Sequence, residues 1–264
     1  MNSNSENSSF VHSVDKALEI LNALAEFPKG CGIAELSKQL GLNKSTIHRI
    51  LGTLKNREYV IQNIETGKYM LGTQILYLAS SLKSGNDLVN ISKPYINKFV
   101  NKVGEVAHLC IPDESFKNII YIDKITPNYQ RRSINMASKI GRKAPIYCTA
   151  SGKLLLSQFS DEKIKSILKD VNFIKHTKNT ITNIDILLKE TKEIHTNNYA
   201  LDRIENEDGI ICISVPIKNS SGKICATISI SSVILFKTIE DLLEYKDDLF
   251  KISDTISKLL GFLS

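Results

Sequence analysis

The segment from Lys44 to about Asn56 has the residue types and spacing of a helix that contacts DNA. Its apolar residues recur every three or four positions, as on one buried helix face; they are Ile47, Ile50, Leu51 and Leu54. Short polar and basic side chains occupy the opposite face, where they can approach bases and phosphates. We therefore predict contacts with double-stranded DNA from Asn43, Lys44, Ser45, Thr46, His48 and Arg49. For His48, a simple exposed histidine is the alternative.

A local excess of positive charge accompanies this helix. The 264-residue chain has a net charge of +6, which permits an anionic partner without demanding one. Between Lys29 and Lys68, however, seven basic residues stand against three acidic ones. Lys68 lies in a β-type run after the helix, and we count it among the predicted DNA contacts. A protein-interaction module with a solvated basic face is the alternative.

A second group of polar residues indicates a ligand site. Ser229 and Ser231 alternate with Ile228 and Ile230, so both hydroxyls face one side of a predicted strand. Thr149 to Gly152 opens a predicted helix, and free N–H groups at such a point favour an anion such as a carboxylate. These groups suit a hydroxy or keto acid that is bound without reacting. Serines on an exposed sheet surface are the alternative.

The sequence carries no recognisable catalytic or metal-binding arrangement. His108, His176 and His195 fall in different segments, and neither a Gly-x-Ser-x-Gly elbow nor a phosphate-binding glycine loop is present. The five cysteines are scattered without zinc-ligand spacing, as is typical of reduced thiols in the cytoplasm. No apolar run approaches the roughly 20 residues of a membrane span. We predict a cytoplasmic protein that is not an enzyme and uses no metal, cofactor or membrane.

The elements around the basic helix predict a winged helix-turn-helix over residues 10–72. Ser13 is the expected N-cap of a first helix. A second helix covers about Ile33–Leu40, and Gly41 ends it with a positive φ. The β-type runs Tyr59–Gln62 and Lys68–Leu71 form the hairpin, or wing, after the third helix.

Residues 73–86 are predicted as a linker helix. Leu71, Ile75, Leu78 and Leu82 form a short apolar stripe that suits a partner helix, with packing inside the chain as the alternative. A polar break from Ser84 to Asp87 then places the start of a second domain, residues 87–264.

This second domain reads as α+β, an antiparallel sheet flanked by helices. The predicted strands are Val106–Ile111, Ile119–Ile125, Arg132–Met136, Tyr199–Asp202, Gly209–Ile217 and Lys223–Ser231. The predicted helices are Leu88–Val103, Thr149–Phe159, Asp161–Asp170 and Ile184–Asn197. A capping box at Thr238 and Asp241 starts one last helix that reaches Leu263. Its apolar face suits either the core or a subunit contact.

Separated blocks of this sequence resemble the IclR family of bacterial transcription regulators over nearly the whole chain. They begin at Ser13, Ile33, Leu42, Gly141, Tyr199, Gly209 and Ile228, and include Leu42-Asn-Lys-Ser-Thr-Ile-His-Arg-Ile-Leu and Gly209-Ile-Ile-Cys-Ile-Ser-Val-Pro. The resemblance implies a winged helix-turn-helix, a linker helix and a GAF-like effector domain. It also implies homodimers, or dimers of dimers, on pseudo-palindromic operators.

The resemblance further implies a pocket for a small organic acid that controls operator binding. Its members would be the backbone of Ala150 and Ser151, the side chains of Asp202, Cys212, Ser229 and Ser231, and an apolar lining from Met136 and Ile210. The chain departs from the family pattern at Tyr147, where histidine is common, and at Arg203 and Ile204, where acidic residues are usual. Arg203 either favours a more acidic ligand or points to solvent. A second domain that only dimerises or binds another protein is the competing interpretation.

Overall fold

The computed structural model describes residues 11–84, 87–128 and 136–262, apart from the side chains at 82–84 and 87. Contacts divide the chain into two compact units, Met1–Asn86 and Asp87–Ser264. The predicted strand Arg132–Met136 lies outside the described residues except for Met136, which belongs to no strand. The side chains of Leu82 and Leu263 also lie outside them.

The first unit is a winged helix-turn-helix, as predicted. Its elements are α1 His12–Ala25, α2 Ile33–Leu40, α3 Lys44–Asn56, β1 Val60–Gln62, β2 Tyr69–Leu71 and α4 Gln74–Ser84. Strands β1 and β2 pair antiparallel, with Val60 opposite Leu71. Their apolar side chains share one core with three helices, because Ile20, Leu36 and Leu51 from α1, α2 and α3 are all fully buried in it.

The helix ends of this unit agree with the sequence in part. Gly41 ends α2 with a φ of 67°, as predicted. Ser13 is not the N-cap of α1, because the N–H groups of Val14 and Asp15 already bond to the carbonyl of Val11, which is the N-cap two residues earlier. Asn43 does stand at the N-cap of α3, but its side chain makes no capping hydrogen bond.

The apolar stripe predicted for the linker is divided between two elements. Leu71 belongs to β2 and packs against the core of the first unit. On α4, Ile75 is half-buried and Leu78 is exposed. Packing inside the first unit therefore explains why Leu71 is apolar. That Leu78 packs against a partner helix stays a prediction.

The second unit is the predicted α+β domain. Its strands are β3 Val106–Pro112, β4 Asn118–Ile125, β5 Lys143–Pro145, β6 Ala200–Arg203, β7 Ile210–Lys218 and β8 Ile224–Val233. Its helices are α5 Asp87–Val103, α6 Ala150–Leu156, α7 Asp161–Leu168, α8 Ile184–Asn197, α9 Ile239–Leu243 and α10 Lys246–Leu259. The strands form one sheet in the order β5-β4-β3-β8-β7-β6, and each neighbouring pair is antiparallel.

Two helix predictions need correction. The last helix is interrupted at Glu244 and Tyr245, although the capping box at Thr238 forms as predicted. The interruption lets Leu242 and Leu249 both reach the same core, with the Tyr245 ring edge-on to Phe99 at 5.9 Å. The helix predicted to end near Phe159 ends at Leu156, where the hydroxyl of Ser157 turns back to the carbonyl of Leu154.

The sheet lies between two layers of helices. Alternate residues of β8 show this arrangement: Ile228 and Ile230 enter the core that includes residues of α5, α9 and α10. The residues between them face the other side, which α6 covers. Gly152 lets α6 pack closely against the segment that precedes it, because a Cβ there would lie 2.1 Å from the carbonyl oxygen of Ile146.

Candidate functional site

Helix α3 presents the predicted DNA contacts on its outer face. Ile47 and Leu51 are fully buried beneath it. The predicted contacts that are exposed are Asn43, Lys44, Ser45, His48 and Arg49, whereas Thr46 is half-buried. This distribution leaves a polar and basic face that is available to a partner.

The wing is braced against the same helix. Lys55 of α3 donates to the side-chain oxygen of Gln62 (3.2 Å), and Gln62 donates to the carbonyl of Gly67 (3.1 Å). Within the turn, Asn63 Oδ1 accepts from the N–H groups of Glu65 and Thr66, each at 2.9 Å. These bonds fix the turn relative to α3. Such a fixed arrangement suits a surface in which the helix enters a DNA groove and the wing contacts the DNA backbone.

Lys68 is the least exposed of the basic residues predicted to contact DNA. Its side chain is half-buried. A hydrogen bond from the Gly32 N–H, followed by the positive charge of Lys68, lowers the pKa of Glu35. Part of the charge of Lys68 therefore acts inside the unit, and Arg49 and Lys44 are the stronger candidates.

All eight predicted effector residues line a single cavity in the second unit. The space between atoms in and around it, open solvent included, is about 400 Å³, and the enclosed cavity itself is only about 30 Å³. Its walls include Met136, Ala150, Ser151, Asp202, Ile210, Cys212, Ser229 and Ser231. Ser229 and Ser231 are only 5% and 3% exposed, so the alternative of serines on an open sheet surface is wrong. That these residues bind an effector stays a prediction.

Strand register brings these side chains together. Asp202 on β6 pairs with Cys212 on β7, which pairs with Ser231 on β8. On the other side of β8, Ser229 pairs with His108 of β3. Four neighbouring strands thus contribute these side chains to the wall of one cavity.

A chain of polar contacts runs along one wall of the cavity. His108 Nε2 lies 2.8 Å from Ser138 Oγ, and His108 Nδ1 lies 3.3 Å from Ser231 Oγ. Ser231 Oγ in turn lies 3.1 Å from Cys212 Sγ. Burial, followed by the charge of Lys124, lowers the pKa of His108 to about 3, and burial raises that of Cys212. Both groups are therefore uncharged near neutral pH.

Several hydrogen-bond donors around the cavity have no protein acceptor. Within the described part of the chain, no partner exists for the hydroxyls of Ser229 and Tyr121 or the N–H groups of Ala150 and Ser151. Thr149 caps α6 by accepting from Gly152 N–H further along, at 3.1 Å. Donors that face a cavity without a protein partner are open to solvent or to a ligand, so a ligand with several acceptor oxygens suits this space.

Asp202 is the buried acid of the cavity. It is 3% exposed, and its Oδ1 accepts from the N–H of Glu205 at 2.6 Å. Burial first, and then the neighbouring charge of Glu205, raise the pKa of Asp202 to about 7. Asp202 is consequently protonated in a large fraction of molecules near neutral pH.

A buried ion cluster anchors the loop that follows Asp202. Lys153 of α6 is fully buried, and its Nζ donates to Glu205 Oε1 (2.6 Å) and to Glu190 Oε1 of α8 (2.5 Å). Because Glu205 lies in the loop after β6 and its N–H bonds to Asp202, this cluster ties the acidic wall of the cavity to two helices.

The two departures from the family pattern lie away from the cavity. The Tyr147 hydroxyl donates to the carbonyl of Ile174 at 2.9 Å and lies 3.3 Å from His176 Nε2. Arg203 lies 3.5 Å from Glu190 and does not line the cavity. Of the two interpretations of Arg203, the structure supports the outward one.

Sequence reasoning missed about half of the cavity wall. The additional lining residues are His108, Ile119, Tyr121, Ser138, Thr149, Asn206 and Glu207. His108 and Tyr121 stand in strands that were predicted, so the pairing order of the strands was the missing information. The described residues hold no group of three or more potential metal ligands, and no helix among them could cross a bilayer.

A winged helix with an exposed basic face is typical of DNA-binding transcription regulators. Two family models match the chain: the IclR helix-turn-helix domain at residues 13–63 and the bacterial transcriptional regulator IclR C-terminal domain at residues 80–258. The chain therefore belongs to the IclR family.

Relatives match over nearly the full length. The transcriptional regulator KdgR of Escherichia coli is 35% identical over 252 residues, which cover 96% of this chain and 94% of that protein. The regulator XynR of the same organism is 29% identical, with coverage of 96% and 98%. The crystal structure of Thermotoga maritima IclR is 31% identical, with a TM-score of 0.78 and coverage of 95% and 99%.

Proposed function

We propose that this chain is a cytoplasmic, ligand-controlled regulator that binds operator DNA as a homodimer or a dimer of dimers. DNA contacts come from Asn43, Lys44, Ser45, Thr46, His48, Arg49 and Lys68. A small organic acid binds the cavity of the second unit and changes operator affinity. Residues 10–72, 73–86 and 87–264 serve as DNA-binding domain, linker helix and effector domain.

The cavity is the observation that carries this proposal. It unites eight residues predicted to bind an effector, and it is lined by donors without acceptors among the described residues. A hydroxy or keto acid supplies the acceptor oxygens that these donors lack. Control follows if the acid prefers one conformation of the dimer. Two half-sites must lie roughly 34 Å apart for both recognition helices to bind.

Operator binding can be tested with a duplex that the full-length protein selects from a randomised library. We expect Arg49→Ala to weaken binding to it and to reduce the slope of log affinity against log salt by about 0.9. Lys251→Ala, a change at an exposed lysine of the second unit, is the matched control and should bind normally. Equal affinities of the two variants would remove Arg49 from the interface.

Ligand control can be tested by titrating the protein–duplex complex with pyruvate, glycerate and gluconate. We expect one acid to change operator affinity. We expect Ser229→Ala to reduce the effect of that acid on operator affinity about tenfold. Ser232→Ala is the control because Ser232 is equally buried on the same strand but does not line the cavity. DNA binding that is insensitive to every acid would favour a second domain that only dimerises.

A further inference from the structure

We propose that Asp202 binds the effector in its protonated form and donates a hydrogen bond to the effector's carboxylate. Binding of a hydroxy or keto acid then takes up about one proton from solution above neutral pH. This inference rests on the proposed effector site and names the chemistry by which that site accepts an anion. It makes Asp202 the residue that couples effector affinity to pH.

The described lining of the cavity includes no cation. Among the lining residues that the structure describes, none is lysine or arginine, whereas Asp202 and Glu207 are acids. An ionised effector placed beside an ionised Asp202 would put two carboxylates into one buried site. Two such groups do not both stay ionised, and one of them keeps a proton.

The nearest cations are engaged elsewhere. Lys153 Nζ is bound between Glu205 and Glu190, and Lys124 Nζ donates to the carbonyl of Ser138 at 2.8 Å. Glu207 accepts from the N–H of Ala137 through both carboxylate oxygens. The charge of Lys153 is therefore paired with two acids, and that of Lys124 acts on Glu207.

The histidine, the tyrosine and the thiols near the cavity do not change their protonation near neutral pH. They are His108 and Cys110 on β3, Tyr121 on β4, Cys148 before α6 and Cys212 on β7. Burial raises the pKa of each thiol and of the tyrosine, and lowers that of the histidine. These groups therefore stay neutral, while burial and Glu205 bring the pKa of Asp202 to about 7.

The donors around Asp202 favour an acid over an amine. The hydroxyls of Ser229 and Tyr121 and the N–H groups of Ala150 and Ser151 lack acceptors within the described part of the protein. An ammonium group has no acceptor to offer them. A carboxylate has two acceptor oxygens, and a protonated Asp202 adds one more donor to the same set.

Isothermal titration of the full-length protein with pyruvate, glycerate and gluconate tests this inference. The buffer gives up about one proton for each acid bound. The binding enthalpies measured in phosphate and in Tris at pH 8 should therefore differ by about the difference between the ionisation enthalpies of the two buffers. Between pH 8 and 9, where Asp202 is mostly ionised in the free protein, the dissociation constant should rise about tenfold.

Two variants separate the proton from the rest of the site. Asp202→Asn keeps a donor and removes the charge, so it should bind the acid with pH-independent affinity and no proton uptake. Ser232→Ala should retain the proton uptake of the unaltered protein.

Each other outcome is decisive. Equal heats in both buffers would overturn the role of Asp202 and leave the effector site intact. Binding of ethanolamine in preference to the acids would also overturn it. Absence of binding by all three acids between pH 6 and 9 would overturn both this inference and the proposed effector site.

Discussion

Removal of the buried ammonium of Lys153 is a strong test of how the acidic loop is stabilised. The change Lys153→Met keeps an unbranched side chain but deletes the charge that binds Glu205 and Glu190. Glu205 is nearly as buried as Lys153, and its Oε2 already lacks a partner within the described residues. The variant therefore leaves an unpaired carboxylate in the interior.

The two lost bonds set the size of the effect. A hydrogen bond to a charged group contributes about 1.5–3 kcal/mol. The bond to Glu205 counts in full, and the bond to Glu190 counts less because that side chain is 20% exposed. We expect a loss of about 3–5 kcal/mol, as is typical when one partner of a buried pair is removed. For a unit of this size, that lowers Tm by about 10 °C.

Thermal and urea unfolding, followed by circular dichroism at pH 7, measure this loss. The control is Lys192→Met, whose Nζ lies 2.7 Å from Asp161 but whose side chain is 66% exposed. Exposed pairs contribute under about 1 kcal/mol. Adding Glu205→Gln to Lys153→Met should recover part of the loss, because the amide carries no charge. Equal losses from Lys153→Met and Lys192→Met would refute the reasoning.

Three further predictions follow from the same coordinates. Gly152→Ala should lower the free energy of unfolding by about 3 kcal/mol or more, because its Cβ would lie 2.1 Å from the carbonyl oxygen of Ile146. The control is Gly52→Ala, which has nothing within 4 Å of the added Cβ and should stabilise α3 by about 1 kcal/mol. Similar unfolding midpoints for the two variants would contradict this prediction. The pKa of Asp202 rises from 3.8 to about 7 on folding. Its contribution to stability is therefore complete below pH 3.8 and is lost as pH rises to 7, by up to about 1.4 kcal/mol per pH unit. In urea unfolding, the stability of Asp202→Asn should depend less on pH than that of the unaltered protein, and parallel pH profiles would exclude this linkage. Asn63→Ala removes two hydrogen bonds from the wing turn and should weaken operator binding severalfold in gel-shift titrations, unless the wing does not contact DNA.

Local sequence was sufficient for elements whose ends are set by neighbouring residues. Helix α8 has the predicted bounds, since Asn183 caps its start and Asn198, with a φ of 56°, ends it. The β7–β8 hairpin also forms as predicted, around the turn in which Asn219 accepts from the N–H of Lys223. In both cases the signal lies within a few residues of the feature.

Features that depend on distant residues were not readable from local patterns. Strand β5 has only three residues, too few to show alternation, and exists because it pairs with β4. The role of His108 in the cavity wall depends on β3 pairing with β8. Lys153 has the sequence character of an exposed helix residue, and only the positions of Glu190 and Glu205 account for its burial.

The position of β3 beside β8 also affects how the chain is made. His108 leaves the ribosome 123 residues before Ser231, its neighbour across these two strands. At roughly 5–20 residues per second, that interval lasts roughly 6–25 s. During synthesis, β3 can pair with β4 but presents its other edge unpaired, and such edges promote aggregation. We therefore expect nascent chains stalled before β8 to depend on chaperones, and the polar cavity to be among the last parts of the protein to form.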